Sequence, residues 1–160
     1  MLDRLNEYQS AEIPTKIANP DLMVQMRTSD PIHWKPPRSP YCKVNFDGAI
    51  FQDLQMAGIG VVIRNSSGQV IGALSDRIHL PSAVDDVEAI ACRRAISFAL
   101  EIGVEEVVFE GDSETIIKAL NSDSSCLSSF GYVVEDIRAL ALNFASCVFS
   151  HVKRRECSSR

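Results

Sequence analysis

One pattern limits the possible folds more than any other: three strand-like segments precede a long helix, and strands and helices mix after it. The first segment, residues 43–49, alternates apolar and polar side chains, which is typical of a strand with one buried face. Turn residues and helical periods separate the other segments. We predict strands at residues 43–49, 57–64, 69–78, 105–110 and 147–153, and helices at residues 81–103, 113–121 and 130–144.

The order β-β-β-α-β-α-α-β indicates an α/β fold with a mixed sheet. The first three strands follow one another through short connections and should pair antiparallel. A helical crossover that returns to the same sheet gives a parallel partner, and the simplest place for the fourth strand is beside the first. We therefore expect a five-stranded sheet in the order 3-2-1-4-5, with helices on both faces.

Helix ends and domain borders follow from capping residues and prolines. Ser82 or Asp85 is expected to cap the long helix, Gly103 to stop it, and Asp112 or Ser113 to cap the next one. Six of the seven prolines lie within residues 1–40, and residues 34–40 are typical of an extended linker. We expect residues 1–40 to be a poorly ordered N-terminal segment and linker, residues 41–155 to be the domain, and residues 156–160 to be a tail.

Composition and charge limit the compartments and partners that we expect. No apolar stretch is long enough to cross a bilayer, and residues 1–10 lack the pattern of a secretory leader. The five cysteines include no C-x-x-C pair, which favours reduced thiols in a cytoplasmic or nuclear protein. The net charge of −5 argues against binding of nucleic acid through a basic stripe. No pattern indicates an oligomeric state.

Two aspartates fall near the carboxyl ends of strands that we expect to be parallel neighbours. Asp47 ends the first strand and Asp112 follows the fourth, so both should lie at the same edge of the sheet. In open α/β sheets, ligands bind at that edge. Taken alone, Asp47 before Gly48 is typical of a turn and Asp112 is typical of a helix N-cap, so each residue has an ordinary structural alternative.

Glu88 is the more informative acidic residue. At about 100° per residue, it falls inside an apolar stripe of its helix. A carboxylate in such a stripe costs free energy unless it is paired or binds a metal. The alternative is a place at the margin of the stripe near the helix start, where Glu88 reaches water and favours the helix dipole. The apolar members of the stripe are Val84, Ala91, Ala95, Ala99 and Ile102.

Three carboxylates from separate elements would repel one another without a cation. Sites that offer only carboxylate oxygens suit Mg²⁺ or Mn²⁺. Two such ions about 4 Å apart can activate water and stabilise the leaving oxygen of a phosphodiester. We therefore predict a metal site formed by Asp47, Glu88 and Asp112.

Other polar residues give weaker signals. His151 alternates with Val152 on the last predicted strand, which favours a structural role over a ligand role. Asp53 and Asp123 are loop acids for which solvation is the expected state.

Several segments, taken in order, resemble plant ribonuclease H-like domains, which are related to the C-terminal domains of non-LTR retroelement reverse transcriptases. The resemblance covers about residues 34–155, and the set of motifs is more specific than any one of them. The matching segments are Trp34-Lys35-Pro36-Pro37, KVNFDGA at residues 43–49, GIGVVIR at residues 58–64, Gly68, Glu88-Ala89, EGDS at residues 110–113 and FSHVKR at residues 149–154.

The resemblance implies the ribonuclease H fold and metal-dependent endonucleolytic hydrolysis of the RNA strand of an RNA–DNA hybrid. Asp47, Glu88 and Asp112 would be the catalytic, metal-binding carboxylates, and the cofactor would be Mg²⁺ or Mn²⁺, with two ions. The RNA strand would be distinguished from DNA by its 2′-hydroxyls. The substrate-binding residues implied by the resemblance are Gly48, Ala49 and Ser113.

The last residues depart from the family pattern. After the fifth strand the family has an Asn-x-x-Ala motif, a fourth site residue and a final helix, whereas this sequence has Arg155-Glu156-Cys157-Ser158-Ser159-Arg160. We therefore expect the final helix and the fourth metal-binding position to be missing. Two alternatives to an active nuclease follow: a catalytically inactive nucleic-acid-binding module, and a protein-interaction domain that uses an uncovered surface of the sheet.

Overall fold

Residues 34–153 are described in the computed structural model of the chain. Residues 36–153 fall in one compact unit, which holds every element discussed below. Among residues 34–153, no helix combines the length and the apolar character that crossing a bilayer requires. The expectations for residues 1–33 and 154–160, which include the N-terminal segment, the tail, the fourth metal position and the final helix, lie outside the described residues.

The alternation of apolar and polar residues produces the mixed sheet predicted from the sequence. The strands are β1 at Cys42–Phe51, β2 at Met56–Arg64, β3 at Val70–His79, β4 at Glu106–Gly111 and β5 at Ser146–His151. β1 runs antiparallel to β2 and parallel to β4, and the order is β3-β2-β1-β4-β5. A crossover through the helix between β3 and β4 accounts for the parallel pairing.

Three helices accompany the sheet in this part of the chain: α1 at Val84–Ile102, α2 at Glu114–Asn121 and α3 at Gly131–Ala141. α1 packs on β1 and β2, α2 packs on β5, and α3 packs on α1 and α2. Their apolar residues share one core with a single face of the sheet. We expected helices on both faces of the sheet. Within residues 34–153, the helices pack on one face. The sheet residues of that core include Val44, Phe46, Ile59, Val61, Ile63, Val107 and Phe109.

The two ends of α1 are built differently. Neither Ser82 nor Asp85 caps its start, contrary to prediction: the N-cap is Ala83, which makes no side-chain hydrogen bond, and Asp85 lies within the first turn. The predicted stop at Gly103 is confirmed, since this residue adopts φ 88° and its N–H donates to the carbonyl of Ala99. Glycine adopts this left-handed conformation at low cost, which explains why the helix ends here.

β1 extends beyond its predicted end because its two neighbours have different lengths. β1 pairs with β2 from Lys43 to its end, where Phe51 lies opposite Met56. On its other side, β4 pairs with β1 only as far as Asn45 opposite Glu110. Asp47 therefore lies inside β1 and not at its end, at the place where the neighbouring strand stops.

Replacing Gly103 tests how much the end of α1 contributes to stability. A Cβ at this position would meet no atom within 4 Å, so any loss should come from the backbone conformation and not from a clash. We expect Gly103→Ala to lower the free energy of unfolding by about 1 kcal/mol. Gly103→Asn should cost less, because asparagine tolerates the left-handed region better. Equal losses for the two variants in urea unfolding would contradict this explanation.

Candidate metal centre

Asp47, Glu88 and Asp112 come together at one edge of the sheet. One carboxylate oxygen from each lies within 4.8 Å of the other two. The three residues belong to β1, to α1 and to the turn between β4 and α2. All three are partly exposed, so the cluster is open to a cation and to a substrate.

The end of β4 creates the space beside Asp47. The last pair between the two parallel strands is Asn45 opposite Glu110, and each aspartate stands two residues beyond it. Asp47 continues the sheet by pairing with Gly60 of β2, whereas Asp112 has left β4. The two carboxylates therefore meet at the carboxyl edge of the parallel strands, where open α/β sheets bind ligands.

Close packing of α1 on β1 brings Glu88 to the aspartates. A Cβ added to Gly48 would lie 2.7 Å from Val87 Cγ1 and 3.3 Å from Glu88 Oε1, so a glycine is needed for this approach. Val87 and Ala89 are 1% and 0% exposed, and they fix this turn of the helix in the core. Glu88 Oε2 is itself buried. A carboxylate placed so close to the core fits a cation site, because burying its charge alone costs free energy.

The apolar stripe around Glu88 is shorter than predicted. Its three alanines are fully buried, as expected, but Val84 is 62% exposed and Ile102 is 39% exposed. Glu88 is partly exposed and lies just after the first buried residue of the helix. It therefore reaches the opening of the cluster while its neighbours stay in the core.

Asp112 is fixed because it lies between two ordered elements. Before it, Gly111 ends β4, and a Cβ there would lie 2.5 Å from Phe46 Cζ, so the strand end packs tightly on β1. After it, Ser113 is the N-cap of α2, and its Oγ accepts from the N–H of Ile116 at 3.4 Å. Of the two predicted caps, the serine takes this role, which leaves the Asp112 carboxylate for the cluster.

The residues expected to contact substrate lie beside the cluster and have structural tasks of their own. Gly48 permits the approach of α1, and Ser113 caps α2. Ala49 pairs with Gly58 in the β1–β2 hairpin. Gly48, Ala49 and Ser113 are partly exposed, so they remain accessible at the opening.

His151 is a neighbour of the cluster that the sequence pattern did not identify. It ends β5 opposite Gly111, and its Nε2 lies 3.2 Å from the backbone carbonyl oxygen of Asp112. Within the described residues, the converging ligand atoms come from the three carboxylates and not from this imidazole. Its place at the carboxyl end of a strand parallel to β4 is the signal that could have indicated a role at the site.

A fourth carboxylate, that of Glu110, lies two residues before Asp112, and its charge is neutralised by an ion pair. Lys43 Nζ lies 3.0 Å from Glu110 Oε1, and Asn45 Nδ2 donates to Glu110 Oε2 at 3.0 Å. The Lys43 and Glu110 side chains are only 12% and 13% exposed. Because these charges compensate each other, Glu110 adds little to the negative charge that a bound cation must offset.

Glu114 lies near the outer rim of the cluster, at the start of α2. The pKa of its carboxyl is lowered, first by the hydrogen bond and charge of Lys118, whose Nζ lies 2.8 Å from Glu114 Oε1. His151 and Lys153 lower this pKa further. The rim therefore carries charges of both signs, whereas the cluster itself carries only carboxylates.

Cys92 is the nearest thiol along α1, one turn after Glu88, and it is fully buried. Burial raises the pKa of this thiol far above its ordinary range, and the nearby Cys147 and Glu88 raise it further. Within the described residues, the ligand atoms that converge belong to Asp47, Glu88 and Asp112, and Cys92 is not among them. The candidate ligand set therefore consists of oxygens, which fits Mg²⁺ or Mn²⁺ better than zinc.

Gly48→Ala should separate the close approach of α1 from general stability. The added Cβ would push against Val87 and Glu88, so we expect the affinity for Mn²⁺, measured by calorimetry, to fall by about tenfold or more. Gly103→Ala is the matched control, because it destabilises the far end of the same helix and should leave Mn²⁺ affinity unchanged. A Gly48→Ala protein with wild-type affinity would show that the glycine does not set the position of Glu88.

Asp47→Asn should stabilise the metal-free protein while removing its response to metal. The substitution relieves repulsion among three close carboxylates, so we expect a gain of about 1 kcal/mol in EDTA. Mg²⁺ should raise the Tm of the wild-type protein, because binding stabilises the folded state, but not that of the variant. Asp53→Asn, which changes an exposed acid in the turn after β1, should respond like the wild type. No gain in EDTA would argue against mutual repulsion in the cluster.

Comparison with known proteins agrees with this architecture. Residues 45–159 match the protein family described as reverse transcriptase-like. Ribonuclease H1 from the archaeon Halobacterium salinarum NRC-1 is similar in structure, with a TM-score of 0.65 and 22% identity over 71% of this chain and 86% of that chain. The N-terminal ribonuclease H domain of a Mycobacterium tuberculosis protein gives a TM-score of 0.63 and 17% identity over 71% and 83% of the two chains.

A third structure, LC11 ribonuclease H1 in complex with an RNA/DNA hybrid, gives a TM-score of 0.63 and 22% identity over 73% of this chain and 88% of that chain. No curated protein sequence matches the chain. Identities at this level show a shared fold, and the five-stranded mixed sheet agrees with it. The family match covers well over half of the sequence. The chain therefore belongs to the reverse transcriptase-like family and has the ribonuclease H fold.

Proposed function

We propose that this protein hydrolyses the RNA strand of RNA–DNA hybrids in a metal-dependent, endonucleolytic reaction. The observation that carries the proposal is the meeting of Asp47, Glu88 and Asp112 within 4.8 Å on a ribonuclease H fold. A fold alone does not specify a reaction, so the proposal rests on this site. Three carboxylates at an open edge provide oxygen ligands where a phosphodiester backbone can approach.

The choice of substrate is supported by one of the similar structures. LC11 ribonuclease H1 was solved with an RNA/DNA hybrid bound. Its likeness to this chain lies in the fold, so the hybrid substrate is carried over here as part of the proposal.

The roles of the carboxylates in the proposed reaction follow from how each is held. Asp47, Glu88 and Asp112 would bind two ions of Mg²⁺ or Mn²⁺. When bound, these ions supply stabilisation for the attacking water and for the leaving oxygen of the phosphodiester. Glu88 is fixed by its core neighbours and Asp112 by the elements on either side of it. Ligands that are already in place reduce the reorganisation needed during the reaction.

Recognition of the RNA strand would use small residues beside the cluster. The 2′-hydroxyl, which both donates and accepts hydrogen bonds, distinguishes RNA from DNA. We propose Gly48, Ala49 and Ser113 for contacts with the sugar and phosphate backbone. Because these residues have small side chains or none, their main-chain donors and acceptors stay within reach of a nucleic acid at the opening.

The charge distribution favours binding that depends on metal. The net charge of the chain is −5. Many cations of the described residues are paired with acids, which reduces the positive charge available to attract phosphates. The ion pairs are Lys43–Glu110, Arg93–Asp136, Arg94–Glu101, Lys118–Glu114 and Arg138–Glu135. A nucleic-acid-binding module that works without metal is therefore the weaker candidate.

Hydrolysis of an end-labelled RNA–DNA hybrid tests the proposal. We expect internal cleavage of the RNA strand with Mg²⁺ or Mn²⁺ and none with EDTA. Asp47→Asn should lose about 100-fold or more in rate, because it removes a metal ligand. Asp53→Asn is the matched control, since it removes the same charge from an exposed position in the next turn, and it should cleave at the wild-type rate.

Three outcomes separate the candidate functions. Equal background rates for the wild type and Asp47→Asn would contradict the nuclease. In that case, salt-dependent binding of the hybrid without cleavage would indicate a catalytically inactive nucleic-acid-binding module. Failure to bind the hybrid at all would leave the protein-interaction domain as the remaining candidate.

A further inference from the structure

His151 extends the contacts between β4 and β5 beyond the last pair of the sheet. That last pair is Gly111 opposite His151. The N–H of Val152 donates to the carbonyl of Gly111 at 2.9 Å. The next carbonyl of the chain, that of Asp112, lies 3.2 Å from His151 Nε2. Both carbonyls therefore have a partner at the end of β5. The partner of the Gly111 carbonyl is the Val152 N–H, and the partner of the Asp112 carbonyl is the His151 imidazole.

The chemistry of this contact determines what the imidazole does. A carbonyl oxygen only accepts hydrogen bonds, so Nε2 carries the proton when the two groups are bonded. This nitrogen then has no lone pair to offer to a cation. The contact of His151 with the cluster therefore runs through the Asp112 backbone, and the ligand atoms that converge in the described part of the chain are those of the three carboxylates.

The Asp112 carbonyl lies where a small rotation would have a large effect on the cluster. Asp112 is placed after the last residue of β4, and the N-cap of α2 follows it directly. A rotation of the peptide between the strand and the helix would swing the carboxylate relative to Asp47 and Glu88. A hydrogen bond to the carbonyl of that peptide opposes the rotation.

We propose that His151 is a positioning residue: its Nε2–H holds the Asp112 carbonyl and thereby keeps the Asp112 carboxylate in place for metal binding. The consequence for hydrolysis rests on the proposed function, but the effect on metal affinity can be measured without any substrate. Removing groups that support a metal ligand typically lowers metal affinity by about 10- to 100-fold.

Two substitutions test this role, because they place an amide nitrogen at different distances from the Asp112 carbonyl. In His151→Gln the amide nitrogen takes approximately the place of Nε2 and can donate to the carbonyl, whereas in His151→Asn it takes the place of Nδ1 and falls short. The readouts are Mn²⁺ affinity by calorimetry and the ¹³C shift of the Asp112 carbonyl in the metal-free protein, which reports hydrogen bonding at that oxygen. Should His151→Asn fail to fold, His151→Phe replaces it, because the ring keeps packing and lacks the donor.

We expect His151→Gln to bind Mn²⁺ within about twofold of the wild type and His151→Asn to bind about tenfold more weakly. The Asp112 carbonyl resonance should move in His151→Asn and stay in place in His151→Gln. Wild-type affinity in His151→Asn, an unchanged resonance, or an equal loss in both variants would overturn the inference. If the wild type itself bound no Mn²⁺, the proposed function would fail, while the carbonyl resonance would still decide whether His151 holds Asp112.

Discussion

The parallel pairing of β1 with β4 is the constraint on which the acidic cluster depends. The pairing stops two residues before Asp47 and two residues before Asp112, so one register places both carboxylates. Packing of Gly111 against the Phe46 ring leaves no room for a side chain at the end of β4, which resists sliding of the strands. On the opposite face, Glu110 bonds to side chains of β1 and supports the same register. The register of β1 and β4 therefore sets both the pairing in the sheet and the positions of the two aspartates in the cluster.

The sequence contains enough information to predict the sheet and the three acidic residues of the cluster. Strand order follows from the hydrophobic period and from the handedness of a helical crossover. Glu88 was identifiable because a charge interrupts an apolar helical stripe, and the two aspartates because they stand near the ends of parallel strands. Each of these signals is local, or depends only on the direction in which the chain runs.

Features decided by packing between distant segments were not predictable in the same way. The length of β1 depends on how far β2 accompanies it, and the start of α1, whose N-cap is Ala83, uses no side-chain cap. His151 meets Asp112 only through the register of β4 and β5, although 39 positions separate the two residues in the sequence. Register between distant strands follows from side-chain burial over the whole sheet, and local propensity does not specify it.

An acidic protein that acts on an acidic polymer needs a local source of attraction. With cations such as Lys43 and Arg138 paired to neighbouring acids and a net charge of −5, long-range attraction to phosphate is weak. Two divalent cations held by Asp47, Glu88 and Asp112 would carry more positive charge than the three carboxylates carry negative charge. They would therefore reverse the sign of the charge at the edge where the phosphodiester backbone would approach. The rest of the surface would still disfavour phosphate. Orientations of the nucleic acid that bring a phosphodiester to the cluster would be favoured, and orientations that bring phosphates to the rest of the surface would be disfavoured. Repulsion would therefore contribute to specificity as well as attraction.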